Sequence, residues 1–113
     1  MFFPYPHGYK ELRLAPGAEV KLAWGDGLMI QYATLAPNVT MPAHSHPHEQ
    51  MGLIIEGEVT LTIGEETQVC RKGDAYLIPP NVLHGGTSGP CTTVAVEVFH
   101  PPREDYIRRI KAE

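Results

Sequence analysis

Three of the six histidines in this 113-residue chain lie within five positions, at His44, His46 and His48. Residues two apart on a β-strand project from the same face, so His44 and His46 are expected to point together into the interior of a β-structure. Gln50 has the same parity and offers an amide oxygen. Burying two imidazoles without a shared partner would be costly, and imidazole is a common ligand of divalent transition metals. The pair therefore predicts half of a metal site.

The third ligand has to come from elsewhere in the chain, and His84 is the best candidate because it lies just past the rigid turn Pro79-Pro80-Asn81. The other histidines have simpler interpretations. His48 follows a proline and is expected to face solvent. His7 and His100 are expected to be surface residues or satisfied core residues.

Short β-strands have to position these side chains, because Gly and Pro number 11 each and interrupt long helices. The clearest pattern is Glu58–Ile63, where apolar and polar residues alternate between two glycines. Further strands are predicted at Ala18–Trp24, Leu28–Leu35, Thr67–Arg71, Ala75–Ile78 and Cys91–Phe99. Many short antiparallel strands in so small a chain predict an all-β barrel or double-sheet jelly roll, because an open sheet would expose its edges.

The length and the 42% hydrophobic content indicate one domain over residues 1–113. It is predicted to comprise an N-terminal arm at about 1–16, a barrel at about 17–100 and a short helix at about 102–112. After two prolines, this last segment has acidic residues in its first turn and basic residues in its last, as the helix dipole favours. The arm carries Phe2, Phe3 and Tyr5, which have no obvious place in so small a barrel and predict a homodimer.

The net charge of −4 argues against nucleic acid and anionic membrane surfaces as partners. The apolar runs are far shorter than the ~20 residues that span a bilayer. The N-terminus has no charged segment of the kind that begins a signal peptide. Cys70 and Cys91 do not form a disulfide framework and are expected to be small buried side chains in a cytoplasmic protein.

Two longer motifs carry a resemblance to a known family. The stretch His44-x-His46-x3-Gln50-x6-Gly57 resembles the first conserved motif of the cupin superfamily, and Gly73-x5-Pro79-x-Asn81-x2-His84 resembles the second. The resemblance implies a jelly-roll β-barrel (a double-stranded β-helix). It also implies one divalent transition metal (Zn, Ni, Fe, Mn or Co) held by His44, His46, Gln50 and His84. Gln50 occupies the place usually held by Glu, which leaves the site one negative charge short and the metal a stronger Lewis acid.

Within the cupins, the segments 44–50, 79–85 and 98–106 resemble the KdgF subgroup of pectin degradation proteins. Those proteins convert unsaturated monouronates to linear keto forms. The resemblance implies a catalytic acid at Glu97, where the subgroup has Asp, with Phe99 and Arg103 nearby. Arg103 would take the carboxylate of a small anionic or sugar-like substrate by a two-point contact. Alternatively, Arg103 pairs with Glu104 or Asp105 at the start of the helix, and Glu97 faces solvent on an edge strand.

The barrel interior is expected to form the substrate pocket, lined by Tyr32, Tyr76, Met51 and Phe99. The leading prediction for function is an isomerase- or lyase-type step on an acidic or sugar-derived molecule. Two alternatives remain open. One is a dioxygenase with Fe(II), and the other is a non-catalytic binding or structural barrel.

Overall fold

The computed structural model describes residues 1–112, which form ten β-strands followed by one helix. The elements are β1 (Lys10–Ala15), β2 (Ala18–Trp24), β3 (Met29–Leu35), β4 (Thr40–His44), β5 (Glu49–Glu56), β6 (Glu58–Ile63), β7 (Glu66–Arg71), β8 (Ala75–Ile78), β9 (His84–Ser88), β10 (Thr93–His100) and α1 (Glu104–Ala112). Glu113, the last residue assigned to the predicted domain, lies outside the described residues. No helix within residues 1–112 is long and apolar enough to cross a bilayer.

The strands form two antiparallel sheets, as the sequence predicts. The larger sheet has the order β1-β2-β3-β10-β5-β8, and the smaller has the order β4-β9-β6-β7. Alternating residues of the two sheets pack against each other, with Ile54 and Ala95 of the larger sheet contacting Val59, Leu61 and Cys70 of the smaller. The prediction of an all-β jelly roll with a short C-terminal helix is confirmed.

The helix α1 closes one end of the larger sheet. Tyr106 is buried in a cluster with the inward-facing side chains of β1, β2, β3 and β10, and Ile107 and Ile110 pack on the same cluster. Arg109 donates a hydrogen bond from Nη2 to the backbone oxygen of Arg13 at 2.7 Å, which fixes the last turn of the helix to β1. This packing brings the residues just before α1 to the end of β10.

The barrel begins earlier than the sequence predicts. Residues 10–15 of the predicted arm form β1, which pairs with β2 through a turn at Gly17. The φ of Gly17 is 81°, a left-handed conformation that suits glycine. Leu12 is the one buried residue of β1. The strand therefore has too short an alternation of buried and exposed residues to be identified as an edge strand from the sequence.

The prediction that His44 and His46 share a strand is wrong. His44 is the last residue of β4, residues 45–48 connect the two strands, and β5 begins at Glu49. The connection contains Pro47, which has no N–H to donate to a strand ladder. The two imidazoles therefore meet because the chain bends between them, and not because of strand parity.

Candidate metal centre

Three histidines from separate parts of the chain come together at one end of the barrel. His44 ends β4, His84 begins β9, and the two are directly paired in the antiparallel ladder between these strands. His46 reaches the same point from the β4–β5 connection. Ligand atoms of the three side chains lie within 4.8 Å of one another. Strand pairing therefore brings the distant His84 to the two histidines of the first motif.

The backbone fixes the tautomer of all three imidazoles. Each Nδ1 lies close to the carbonyl oxygen of a residue two positions away, and a carbonyl can only accept, so Nδ1 carries the proton. The distances are 3.0 Å from His44 to Pro42, 3.1 Å from His46 to His48 and 2.8 Å from His84 to Val82. Each Nε2 is left with a free lone pair, which is the arrangement that metal-binding histidines usually show.

Burial favours the neutral form of two of these imidazoles, His46 and His84. Burial and, as the next largest cause, the positive charge of Arg103 lower the pKa of His46 to about 4. Burial also lowers the pKa of His84 below its ordinary value. A neutral imidazole is the form that binds metal.

The orientation of the Gln50 amide tests whether a metal fits among the three histidines. Its Nε2 donates a hydrogen bond to Oε2 of Glu97, so its Oε1 faces away from that carboxylate. Oε1 lies 3.1 Å from Nε2 of His46. Both of these atoms are acceptors, because the proton of His46 is on Nδ1, and two facing lone pairs are unfavourable without a cation. A divalent transition metal held by three imidazole nitrogens and one amide oxygen fits this donor set.

Glu97 lies on the inner face of β10, which is between β3 and β5 and is not an edge strand. The side chain is only 8% exposed. Besides Gln50, Nε2 of Gln31 and the hydroxyl of Tyr76 each donate a hydrogen bond to it at 2.8 Å. Burial, together with the charge of Glu97, raises the pKa of Tyr76, so this hydroxyl keeps its proton and acts as the donor. The carboxylate is thereby held in one orientation.

The ring of Tyr76 reaches Glu97 by crossing directly over Gly52 of β5. A Cβ at this position would overlap the Tyr76 ring. Gly52 also pairs directly with Tyr76 in the β5–β8 ladder and with Glu97 in the β5–β10 ladder. The missing side chain of Gly52 is therefore what allows the hydroxyl to contact the carboxylate.

Arg103 is buried just before α1 and forms the helix-start ion pair that was one of the two expectations for it. Its Nε and Nη2 contact the two carboxylate oxygens of Asp105 at 3.1 and 2.9 Å. The guanidinium also stacks on Tyr106 and Phe99, with its central carbon 4.0 and 5.1 Å from the two ring centroids. Arg103 lines the same cavity as Glu97, His44 and His84. The ion pair therefore orients a cation at the cavity wall.

The cavity enclosed by these groups has a volume of about 90 Å³. Its polar lining comprises Gln31, His44, Gln50, Tyr76, His84, Thr93, Glu97, Arg103 and Tyr106, and the rest of the wall is mostly apolar. A site with apolar walls and a few convergent polar groups is typical of small-molecule binding.

Two of the four predicted pocket residues do line this cavity, namely Tyr76 and Phe99. Tyr32 and Met51 lie on the outer face of the larger sheet, so the prediction for them needs correction. Tyr32 packs on Tyr5, with ring centroids 5.2 Å apart, and Met51 is 54% exposed. Their strands are apolar on both faces, so the sequence did not show which face is inside.

Three further residues differ from expectation or were missed. His48 is 2% exposed and not solvent-facing, and its Nε2 lies 2.7 Å from Oε2 of Glu104, which ties the β4–β5 connection to the start of α1. This hydrogen bond lowers the pKa of the Glu104 carboxyl. Cys70 is buried as predicted, but Cys91 is exposed. Gln31 was not identified, although a polar residue between the inward-facing Met29 and Ala33 was a visible signal.

The comparisons with known proteins agree with the fold described above. A family model described as "Cupin domain" matches residues 31–97, more than half of the chain. The pectin degradation protein KdgF of Dickeya dadantii is 29% identical over 87 residues, which cover 76% of this chain and 79% of that protein. The H2HPP isomerase of Bacillus subtilis is 38% identical over 50 residues, which cover 43% of this chain and 21% of that protein.

Among solved structures, KdgF from Halomonas sp. has a TM-score of 0.84 with 24% identity, covering 93% of this chain and 96% of that chain. This similarity extends the agreement from the motifs to the whole fold, including the strands that the sequence left unassigned. The chain therefore belongs to the cupin family, and within that family it is similar to KdgF.

Proposed function

We propose that this cupin is a metal-dependent isomerase that acts on a small anionic, sugar-derived molecule. The conversion of an unsaturated uronate to its linear keto form is the specific reaction that we infer. The observation that carries the proposal is that Glu97, Arg103 and two histidines of the three-histidine cluster line one cavity. The names of two relatives, a pectin degradation protein and an isomerase, support the same class of reaction.

The inferred reaction moves one proton and breaks one bond. The anomeric hydroxyl of the cyclic unsaturated uronate loses its proton, the bond between C1 and the ring oxygen breaks to leave an aldehyde and an enolate, and the enolate takes one proton at C4 to give the ketone. The product has the same composition as the substrate, so no other reactant is needed. A bound divalent metal would supply Lewis-acid polarisation of a substrate oxygen.

Each residue at the cavity would have a role in this reaction that follows from its position. Arg103 is a buried cation whose orientation is fixed by Asp105, and it would bind the substrate carboxylate. Glu97 accepts three hydrogen bonds, whereas a carboxylate has about four lone-pair sites, so one site is left for the transferred proton. Phe99 and Tyr106 would exclude water from the ion pair between Arg103 and the substrate.

The test is turnover of unsaturated galacturonate, followed by the loss of the ultraviolet absorbance of its conjugated double bond. Arg103→Lys keeps the charge but loses the fork geometry, and we expect KM to rise about tenfold or more with a smaller change in kcat. Arg108→Lys, on the exposed side of α1, is the matched control and should leave both constants unchanged. Metal-loaded protein that never consumes unsaturated uronates would contradict the proposal, and oxygen consumption with Fe(II) would indicate the dioxygenase instead.

We also propose that two copies associate through the outer face of the larger sheet. Ile30, Val98, Met51 and Leu77 form one row across four strands, because Val98 pairs with both Ile30 and Met51, and Met51 pairs with Leu77. These four side chains are 38–54% exposed. A continuous apolar row of this kind is typical of an interface, and packing it against the same row of a second copy would remove it from water.

Val98→Glu is expected to shift this dimer to monomer in sedimentation analysis at tens of micromolar, because it places a charge at the centre of the row. Thr60→Glu makes the same change on the exposed face of a central strand in the smaller sheet and should leave the dimer intact. A wild-type protein that is monomeric at this concentration would contradict the proposal.

A further inference from the structure

Gln31 has a position in the cavity wall that the metal centre does not explain. It lies in the middle of β3, directly opposite Glu97 of β10 and Leu22 of β2. The alternation of β3 turns it inward, where it is 4% exposed and lines the cavity. A buried glutamine among apolar neighbours normally has both ends of its amide satisfied.

Only one end of this amide is satisfied. Nε2 of Gln31 donates to Oε1 of Glu97 at 2.8 Å. A carboxylate can only accept, so the NH₂ group has to face Glu97 and the amide orientation is fixed. Within residues 1–112, Oε1 of Gln31 has no hydrogen-bond partner although it is fully buried. An unpaired buried acceptor costs free energy that a donor in the cavity would recover.

Glu97 therefore orients two amides at once. It accepts from Nε2 of Gln50 and from Nε2 of Gln31, and both amide oxygens are left without a donor among the described residues. The oxygen of Gln50 lies beside the histidine cluster, whereas the NH₂ group of Gln31 separates its oxygen from the Glu97 carboxylate, and the candidate metal cluster within residues 1–112 consists of His44, His46 and His84. The partner of Gln31 is accordingly a hydrogen-bond donor and not a metal.

We propose that Oε1 of Gln31 accepts a hydrogen bond from a hydroxyl of the bound molecule and makes Gln31 a specificity-determining residue. The inference rests on the proposed function, because it takes the ligand to be a polyhydroxy acid whose carboxylate binds Arg103. A neutral amide oxygen in a largely apolar wall selects a neutral donor. A site that reserves a buried acceptor for a hydroxyl discriminates against the analogue that lacks this hydroxyl, since the acceptor is then left unpaired.

The test combines a variant with a panel of ligands. Zinc-loaded wild type and Gln31→Met are titrated by calorimetry with D-galacturonate and with its 2-deoxy and 3-deoxy analogues. Met has a similar length but neither amide group. We expect wild type to bind one of the two deoxy analogues about tenfold more weakly than D-galacturonate. Gln31→Met should bind that analogue and D-galacturonate with equal affinity. Loss of the hydrogen bond to Glu97 affects both ligands alike, so the difference between them isolates Oε1.

Unchanged discrimination in Gln31→Met would overturn the inference, as would a wild type that binds no member of the panel or binds all equally. A crystal structure of wild type with D-galacturonate gives a second readout that does not require the variant to fold. A ligand hydroxyl within hydrogen-bond distance of Oε1 is expected, and a water in that place would overturn the inference. If the protein distinguishes the ligands but does not turn over unsaturated uronates, the role of Gln31 stands and the proposed isomerase activity is rejected. If it turns over unsaturated uronates but does not distinguish the ligands, the isomerase activity stands and the role of Gln31 is rejected.

Discussion

His46→Ala is expected to abolish stoichiometric metal binding while leaving the metal-free protein folded. The substitution removes one of four ligands, and it removes the one whose neutral state is best enforced by burial. It also removes the unfavourable contact between Nε2 of His46 and Oε1 of Gln50, which only a cation relieves. The two effects have opposite signs: metal affinity falls, whereas in the metal-free protein the relief of this contact offsets part of the lost hydrogen bond from Nδ1 of His46 to the oxygen of His48.

The measurement is bound metal by mass spectrometry, with thermal unfolding in the presence and absence of Zn²⁺. Wild type should gain about 3 kcal/mol of stability when free Zn²⁺ exceeds the Kd a hundredfold, and His46→Ala should gain almost none. His100→Ala is the control, because His100 is exposed and contacts the oxygen of Gly27 away from the cluster. Full metal occupancy in His46→Ala, or no metal in reconstituted wild type, would contradict the assignment.

The sequence predicted the histidine cluster better than it predicted how the cluster is built. Residue types and spacing identified His44, His46 and His84, because few structural roles bring several imidazoles together. The geometry depends on contacts between residues that are far apart in the chain. The buried ring of His48 forms a hydrogen bond with Glu104 at the start of α1, and nothing local to His48 indicates this partner.

The same limit applies to the strands. β9 has the sequence His-Gly-Gly-Thr-Ser, which has low strand propensity, yet it pairs with both β4 and β6. Its glycines are explained only by the packed structure, where a Cβ at Gly85 would be 2.9 Å from the nitrogen of Ala43 and one at Gly86 would be 2.8 Å from the oxygen of Thr60. β5 contains an apolar run with no alternation, so the sequence could not show that Met51 faces outward.

The amide at position 50 has a physical reason that the structure makes visible. Its Nε2 donates to Glu97, so a carboxylate there would face the carboxylate of Glu97 with no proton between them. Two such groups cannot both ionise at hydrogen-bond distance in a buried site. Gln50 and Glu97 therefore form a matched pair, and the identity of one residue determines what the other can be.

Gln50→Glu is accordingly expected to destabilise the metal-free protein by about 3 kcal/mol at neutral pH, since it exchanges a charge-assisted hydrogen bond for repulsion. Combining it with Glu97→Gln should restore most of this loss. The new amide at position 97 would donate to the new carboxylate at position 50 and to the oxygen of Tyr76, and its own oxygen would still accept from Gln31. Denaturant unfolding of the wild type, both single variants and the double variant gives the coupling energy, which should be about 2 kcal/mol or more.

The double variant also separates metal binding from catalysis. It presents three imidazoles and a carboxylate to the metal, so it should bind Zn²⁺ at least as tightly as wild type, because the site gains a negative charge. It has no ionisable group at position 97, so a proton carried by Glu97 could no longer be transferred, and turnover should fall by a factor of about 10² or more. Additive destabilisation in the four-protein cycle would show that the two residues are not a matched pair. Full turnover by the metal-loaded double variant would show that Glu97 orients the two amides but does not carry the proton.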